Sequence, residues 1–460
     1  MRRTIVFSSI FFGISALALA QQIQGDIQKH GEKPAIAVPD FRGTGDAQRV
    51  MDPFNATLFR ELQTSGQLKL VPKTVYPLQV PQQPADLHPP LNGRSQGPWL
   101  TDWSGPPVNA NYLAFGYTAV QNNQLVLYGW LDDVTQANTS AAQLIGKVYI
   151  GTLDEAGAAK VAREFASDIL KYFGATSLLG TKIYFVSNRT GHKEIWSMDY
   201  DGSNQKAFTA YGTITTFPVV SPDGTKIAFT TYPVRKGAGG RVIGEGQPEI
   251  FVHSLETGRK LVYYNQKASM NAASDFLLDS RHLLIYCTAS GYSQIYETDI
   301  DGSGLRRVTH SGSLEVEGKV NPKTGNDVVF VSGRGGTPQI YRMNIDGTDV
   351  TRLTTGEGDA VNPSWSPDGQ HIAFSWTRGY EPGNFNIFVM DVATRDFVQL
   401  THGAGRNENP SWAPDGVHLV FSSTRDRNTQ IYTMLADGTG LQQLTTQGNN
   451  EKPVWSRATQ

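Results

Sequence analysis

One cysteine in 460 residues, Cys287, excludes a disulfide-built scaffold and any Cys-x-x-Cys metal or redox pair. Charge of one sign is also missing. With 40 Lys plus Arg against 42 Asp plus Glu, the formal charge is −2, and no basic run offers an electrostatic footprint for nucleic acid. The nine histidines form no His-Glu-x-x-His, and there is no phosphate-binding Gly-x-x-x-x-Gly-Lys-Ser/Thr. Beyond the first 20 residues no apolar run is long enough to span a bilayer, so membrane insertion is not expected.

Glycine, by contrast, is plentiful at 47 residues, and 39% of the chain is hydrophobic, enough for sizeable cores. Residues 1–20 carry Arg2 and Arg3, an apolar stretch from Ile5 to Leu17, and Ala18-Leu19-Ala20, the pattern of a signal peptide cleaved after Ala20. An exported protein is expected, with Cys287 buried and inert in its apolar strand.

From about residue 180 one pattern recurs: two apolar strands, a third marked by Ile-aromatic, an Asp-Gly turn and a short strand ending in Leu-Thr or Val-Thr. The second strand starts at Ile183, Ile227, Leu283, Val328, Ile372 and Leu419, at spacings of 44, 56, 45, 44 and 47 residues. A period in the forties built of short strands predicts propeller blades. Ser221-Pro222-Asp223-Gly224, Ser366-Pro367-Asp368-Gly369 and Ala413-Pro414-Asp415-Gly416 supply hairpin turns. The third unit has Leu277 to Arg281 in that place and is the least regular. Asp199 to Asn204 puts its glycine at the fourth position, which suits a turn and not a calcium loop. The unit at Ile183 lacks a first strand, whereas the chain closes on Lys452 to Ser456, a first strand with no partner after it. Pairing the two closes a ring of six blades. Trp365, Trp412 and Trp455 then occupy equivalent positions between blades, and Tyr232 to Gln247 forms an expanded, flexible surface loop.

Residues 21–178 lack this period. A strand Ala35 to Phe41, a helix Met51 to Leu62, a strand Leu68 to Pro72, three further strands and a helix Glu155 to Phe173 ended by Gly174 predict a small α/β domain. That last helix has an apolar stripe of Ala158, Val161, Phe165, Ile169 and Tyr172. The predicted architecture is therefore an N-terminal α/β domain, 21–178, and a six-bladed β-propeller, 179–460. With no zinc-protease motif and no phosphate loop, binding is the expected role, without a cofactor. The loops before each first strand, at Thr215 to Phe217, Asn271, Glu315 and Glu317, Asn362, Asn407 to Asn409 and Asn450-Glu451, form a polar rim suited to a protein surface. A second class stays open: an exported propeller with lyase, hydrolase or glycan-binding activity at its channel.

The signal peptide, IAVPDF, YGWLDDV (Tyr128 to Val134), Ile183 to Thr209, and the repeated NPSWSPDG and QIY motifs together resemble the TolB family of Tol–Pal envelope proteins. The resemblance covers nearly the whole mature chain. It implies a monomeric, periplasmic, non-enzymatic adaptor that maintains outer-membrane integrity, supports constriction at division and is exploited in some bacteria by bacteriocins. It implies binding of a Pal-like peptidoglycan-associated lipoprotein at the channel mouth, mapped by motif position to Thr216, Asn271, Glu317, Asn362, Asn409 and Glu451. The partner TolA would meet the mature N-terminus, Gln21, Gln22, Ile23 and Gln24.

Overall fold

The structure, a computed structural model, describes residues 33–89, 98–237, 239, 242–261 and 271–456. The expected signal peptide and Gln21 to Gln24 lie outside the described residues. The chain divides into two compact units, His30–Leu179 and a second that includes Gly180–Gln460.

In the first unit, Lys69–Leu70, Ala35–Ala37 and Tyr112–Gln121 pair in parallel, and Gln124–Asp133 and Gln143–Thr152 continue the sheet antiparallel. Helices Met51–Thr64 and Glu155–Tyr172 bury Phe54, Leu58, Leu62, Val161, Phe165 and Ile169 in one cluster. Asp154 caps the second helix by accepting from Gly157 N at 2.7 Å, and Gly174 ends it at φ 75°. Ala158, Val161, Phe165 and Ile169 of the predicted stripe are buried, but Tyr172, in the last turn, is 47% exposed. A second cluster around Leu100, Trp103, Phe115 and Val134 contains the other half of the unit's core.

The second unit is the predicted six-bladed propeller, with six four-stranded antiparallel sheets. We number the blades by the central strands Lys182–Ser187, Lys226–Thr231, His282–Ser290, Asp327–Ser332, His371–Trp376 and His418–Asp426. The inner strand of blade one is Asn450–Trp455, which pairs antiparallel with Lys182–Ser187 and leaves the ring no open inner edge. Central strands read as continuous apolar runs because both faces are covered by neighbouring blades. Each pairs an aromatic or Ile with the third-strand aromatic, as in Phe185 with Trp196, Phe330 with Tyr341 and Phe421 with Tyr432.

The recurring threonine has a physical cause. Oγ1 of Thr209, Thr309, Thr354, Thr401 and Thr445 each accepts from the backbone N–H of the third-strand isoleucine at 2.9 Å, tying the outer strand to the blade. The turns also behave as turns: Oδ1 of Asp201, Asp301, Asp346 and Asp437 accepts the N–H two residues on at 2.8–3.0 Å. Blade three, irregular in sequence, keeps the same device. Asp279 Oδ1 accepts from Arg281 N at 2.9 Å, and Ser280 takes the positive φ, 57°, that glycine takes elsewhere. Trp365 and Trp412 pack into clusters that join blades four to five and five to six. Cys287 is fully buried, and burial pushes its thiol pKa up. The expanded segment after Tyr232 is a two-stranded ribbon, Val234–Lys236 with Val242–Glu245, where a loop was expected.

Candidate functional site

Each inner strand runs from a head beside the third-strand polar residue to a turn at the other end of the blade. Five of the six inner strands break register with the central strand at their third residue: Phe217, Glu317, Asn362, Asn409 and Lys452. All five lie in the left-handed region, at φ 53°, 56°, 54°, 55° and 51°. None is glycine. Asn tolerates that conformation, but for Phe, Glu and Lys it costs on the order of 1 kcal/mol or more each. In blade three the register shift falls between Ala273 and Asp275.

These residues line one cavity of about 240 Å³ along the inner strands. Its wall also includes Trp365, Trp412 and Trp455, and its charged groups are Asp275, Glu317, Lys319 and Lys452. Two acids and two bases make it locally balanced. Glu317 bridges blades four and five: its Oε2 accepts from Asn362 N at 2.7 Å and its Oε1 from Asn362 Nδ2 at 2.9 Å. Asn409 N donates to Ser375 Oγ at 3.2 Å. Lys452 Nζ stands 4.5 Å from the centre of the Phe217 ring, so blades one and two meet through a cation–π contact. Lys319 Nζ donates to Ser274 O. Burial raises the Glu408 carboxyl pKa against the pull of Arg406 and Lys452. The Tyr286 phenol in the wall is held far above its usual range by burial. The arrangement presents amide, carboxylate, ammonium and aromatic surfaces on a strained, fixed scaffold, which suits recognition of a polypeptide surface.

Of the residues singled out from sequence, Glu317, Asn362 and Asn409 are brought together in this wall. Thr216, Asn271 and Glu451 are not among the cavity-lining residues. Thr216 is 7% exposed, immediately before Phe217. Asn271 is 1% exposed and its Nδ2 donates to Pro248 O at 3.1 Å. Glu451 pairs with Lys193 at 2.5 Å. Sequence reasoning placed Phe217 in the rim without selecting it, and missed Ser274 and Lys452 as cavity residues. A signal existed: Phe217, Asn362, Asn409 and Lys452 each precede a proline.

The family model described as the TolB beta propeller domain matches residues 169–380 and 356–460. The chain belongs to the TolB family. "Protein TolB homolog" of Chlorobium chlorochromatii is 31% identical over 253 residues, 54% of this chain and 53% of that protein. "Tol-Pal system protein TolB" of Bordetella pertussis is 28% identical over 253 residues, again 54% and 53%. The chain thus spans about half the length of the curated TolB relatives it matches. The crystal structure of TolB from Acinetobacter baumannii superposes with a TM-score of 0.72 at 21% identity, covering 93% of this chain and 97% of that one. At that identity the likeness establishes the fold, α/β region and propeller together.

Proposed function

We propose that the chain is a periplasmic, non-enzymatic adaptor of a Tol–Pal system, binding a Pal-like peptidoglycan-associated lipoprotein through the propeller cavity. The observation that carries this reading is the ring of five non-glycine residues held at positive φ around that cavity. Backbone strain repeated at one position in five blades is retained where the displayed side chains are used. Phe217, Glu317, Asn362, Asn409 and Lys452 are the contact residues of this reading, with Thr216 and Glu451 supporting them from adjacent positions and Asn271 at the head of its strand. The name of the Bordetella relative supports the Tol–Pal setting. Within it, Gln21 to Gln24 at the mature N-terminus would engage TolA, and the pair of contacts would serve outer-membrane integrity and constriction.

The test is calorimetric titration of residues 21–460 with the periplasmic part of the same organism's Pal-like lipoprotein. Saturable one-to-one binding, lost when Asn362 and Asn409 are both replaced by Trp in a chain that keeps its melting temperature, supports the reading. No binding of the unaltered chain at high micromolar concentration refutes it.

A further inference from the structure

Four consecutive blades around the ring, four, five, six and one, carry an arginine two residues after the central-strand residue that pairs with the inner-strand head: Arg334, Arg378, Arg425 and Arg189. Each guanidinium lies over two aromatic rings of its own blade, 4.6 to 5.7 Å from their centres. Three of the four are also tied inward to the head of their inner strand. Nη2 of Arg334 donates to Glu315 Oε1 at 3.1 Å, that of Arg425 to Asn407 Oδ1 at 3.0 Å and that of Arg189 to Asn450 Oδ1 at 3.3 Å. Their Nε–H groups are used as well, on Ser332 Oγ, Ser423 Oγ and Gln447 O.

Blade five breaks the pattern. At its strand head stands Ala360, and the residue paired with it is Trp376, where the other three blades pair Glu315, Asn407 or Asn450 with a serine. The indole of Trp376 is fully buried and donates to Glu357 O at 3.1 Å, so the space left by the small alanine is filled by carbon. Arg378 therefore has rings beneath it, Trp376 at 5.0 Å and Phe397 at 4.7 Å, but no side-chain hydrogen bond or ion pair among the described residues. It is exposed. Gly356 lies against it, and a Cβ there would sit 4.0 Å from Arg378 Cζ, so the glycine leaves the guanidinium open.

We infer that Arg378 is a specificity-determining docking residue that receives a carboxylate of the protein bound at the cavity mouth; this rests on the lipoprotein reading above. The register places it at the strand-head end of blade five, two residues beyond the partner of Ala360 and on the blade that supplies Asn362. A guanidinium fixed on two ring faces has little rotamer freedom left to lose on binding. Its free edge offers the planar fork that matches a carboxylate, which makes it an anchor of the kind that dominates protein interfaces.

The experiment titrates the mature chain, R378A, R378K and R425A with the periplasmic part of the Pal-like lipoprotein at low and high salt. R378A weakens binding about tenfold and flattens its salt dependence, R378K recovers only part, and R425A lowers the melting temperature more than R378A does. Binding by R378A within twofold of the unaltered chain overturns the inference. Should the unaltered chain bind no lipoprotein, the lipoprotein reading fails, and Arg378 is judged by its own signal. Arginine Nε–H resonances are then followed by NMR on adding a hexaglutamate peptide. A shift at Arg378 but not at Arg189, Arg334 or Arg425 supports carboxylate capture, and no shift overturns it.

Discussion

The two ends of the propeller are built by different rules. At the turn end, Asp223, Asp279, Asp368 and Asp415 perform one job, each accepting the N–H two residues on at 2.9–3.0 Å. Toward the strand-head end the bulged positions vary among the blades, with only Asn recurring: Phe217, Ser274, Glu317, Asn362, Asn409 and Lys452 face one cavity. Repetition at one end closes hairpins cheaply, and variety at the other end gives the cavity wall a pattern that a partner can read. In a repeat protein, the element that departs from the repeat without loss of fold is where recognition is to be sought.

Midway between the ends, the shared core should be the costliest place to cut. Phe421 is fully buried and pairs with Tyr432. Phe421→Ala should cost about 3–5 kcal/mol, read by denaturant unfolding, and should weaken the cavity's binding only in proportion to unfolding. A loss of binding with little loss of stability would break the division between core and site.

The turn end predicts a graded effect from one residue type. Gly369 and Gly416 have the same φ, 70° and 69°, in equivalent turns. A Cβ on Gly369 would lie 2.3 Å from Asn321 Oδ1 of the neighbouring blade, whereas the nearest atom to one on Gly416 is Pro367 Cδ at 3.9 Å. Gly416→Ala should therefore cost only the left-handed strain, about 1–2 kcal/mol, and Gly369→Ala about 1–3 kcal/mol more. Equal melting temperatures for the two variants would show that the blade contact at Asn321 gives way freely.

The turn chemistry was legible in the sequence because Pro, Asp and Gly act locally. The ring and its blade count were legible because a strand register repeats at a fixed period. The cavity ring was half legible. Mapping the resemblance by motif position selected Thr216 and Glu451, one residue short of Phe217 and Lys452, because a bulge shifts the side-chain alternation by one and alternation alone cannot report it. Proline was the better ruler: it follows the bulged residue in four blades, although a residue before proline ordinarily avoids helical angles. Asn271 falls outside the cavity wall for another reason, since blade three places its irregularity after Ala273 and has no such proline. Arg378 was invisible, because its distinction lies in the side chain that is missing at Ala360.

The α/β unit supplies a contrast in its own interior. Asp132 is 1% exposed, its Oδ1 has no hydrogen-bond partner among the described residues, and burial pushes its pKa up to about 7. The folded state thus holds a proton that the unfolded chain, with an ordinary carboxylate, has already released. Its contribution to stability is complete below the ordinary carboxylate pKa and is lost as pH rises through about 7. Between pH 6 and 8 this group alone should remove about 1.4 kcal/mol, and Asp132→Asn should abolish that slope in unfolding measured across the interval. An unchanged slope would assign the pH dependence to other groups.

The smallest effect is the one that most sharply separates the two ends. Lys452 holds φ at 51° and meets Phe217 through its ammonium group. Lys452→Gly removes a strained side chain and a half-buried cation–π contact worth about 1 kcal/mol, so the two changes nearly offset and stability should move by less than about 1 kcal/mol. Binding at the cavity should nevertheless fall several-fold, because the side chain that the strain holds in the wall is gone. The same substitution logic applied at the turn end, Ser280→Gly, relaxes a residue at φ 57° whose side chain is not in the cavity. Ser280 Oγ also accepts from Asp223 N at 3.1 Å, so the relief of strain and the lost hydrogen bond, each about 1 kcal/mol, should nearly offset, and that variant should bind as before. If both variants left binding unchanged, the strain at the strand heads would be a by-product of closing six blades into a ring, and the partner would have to be sought on another surface.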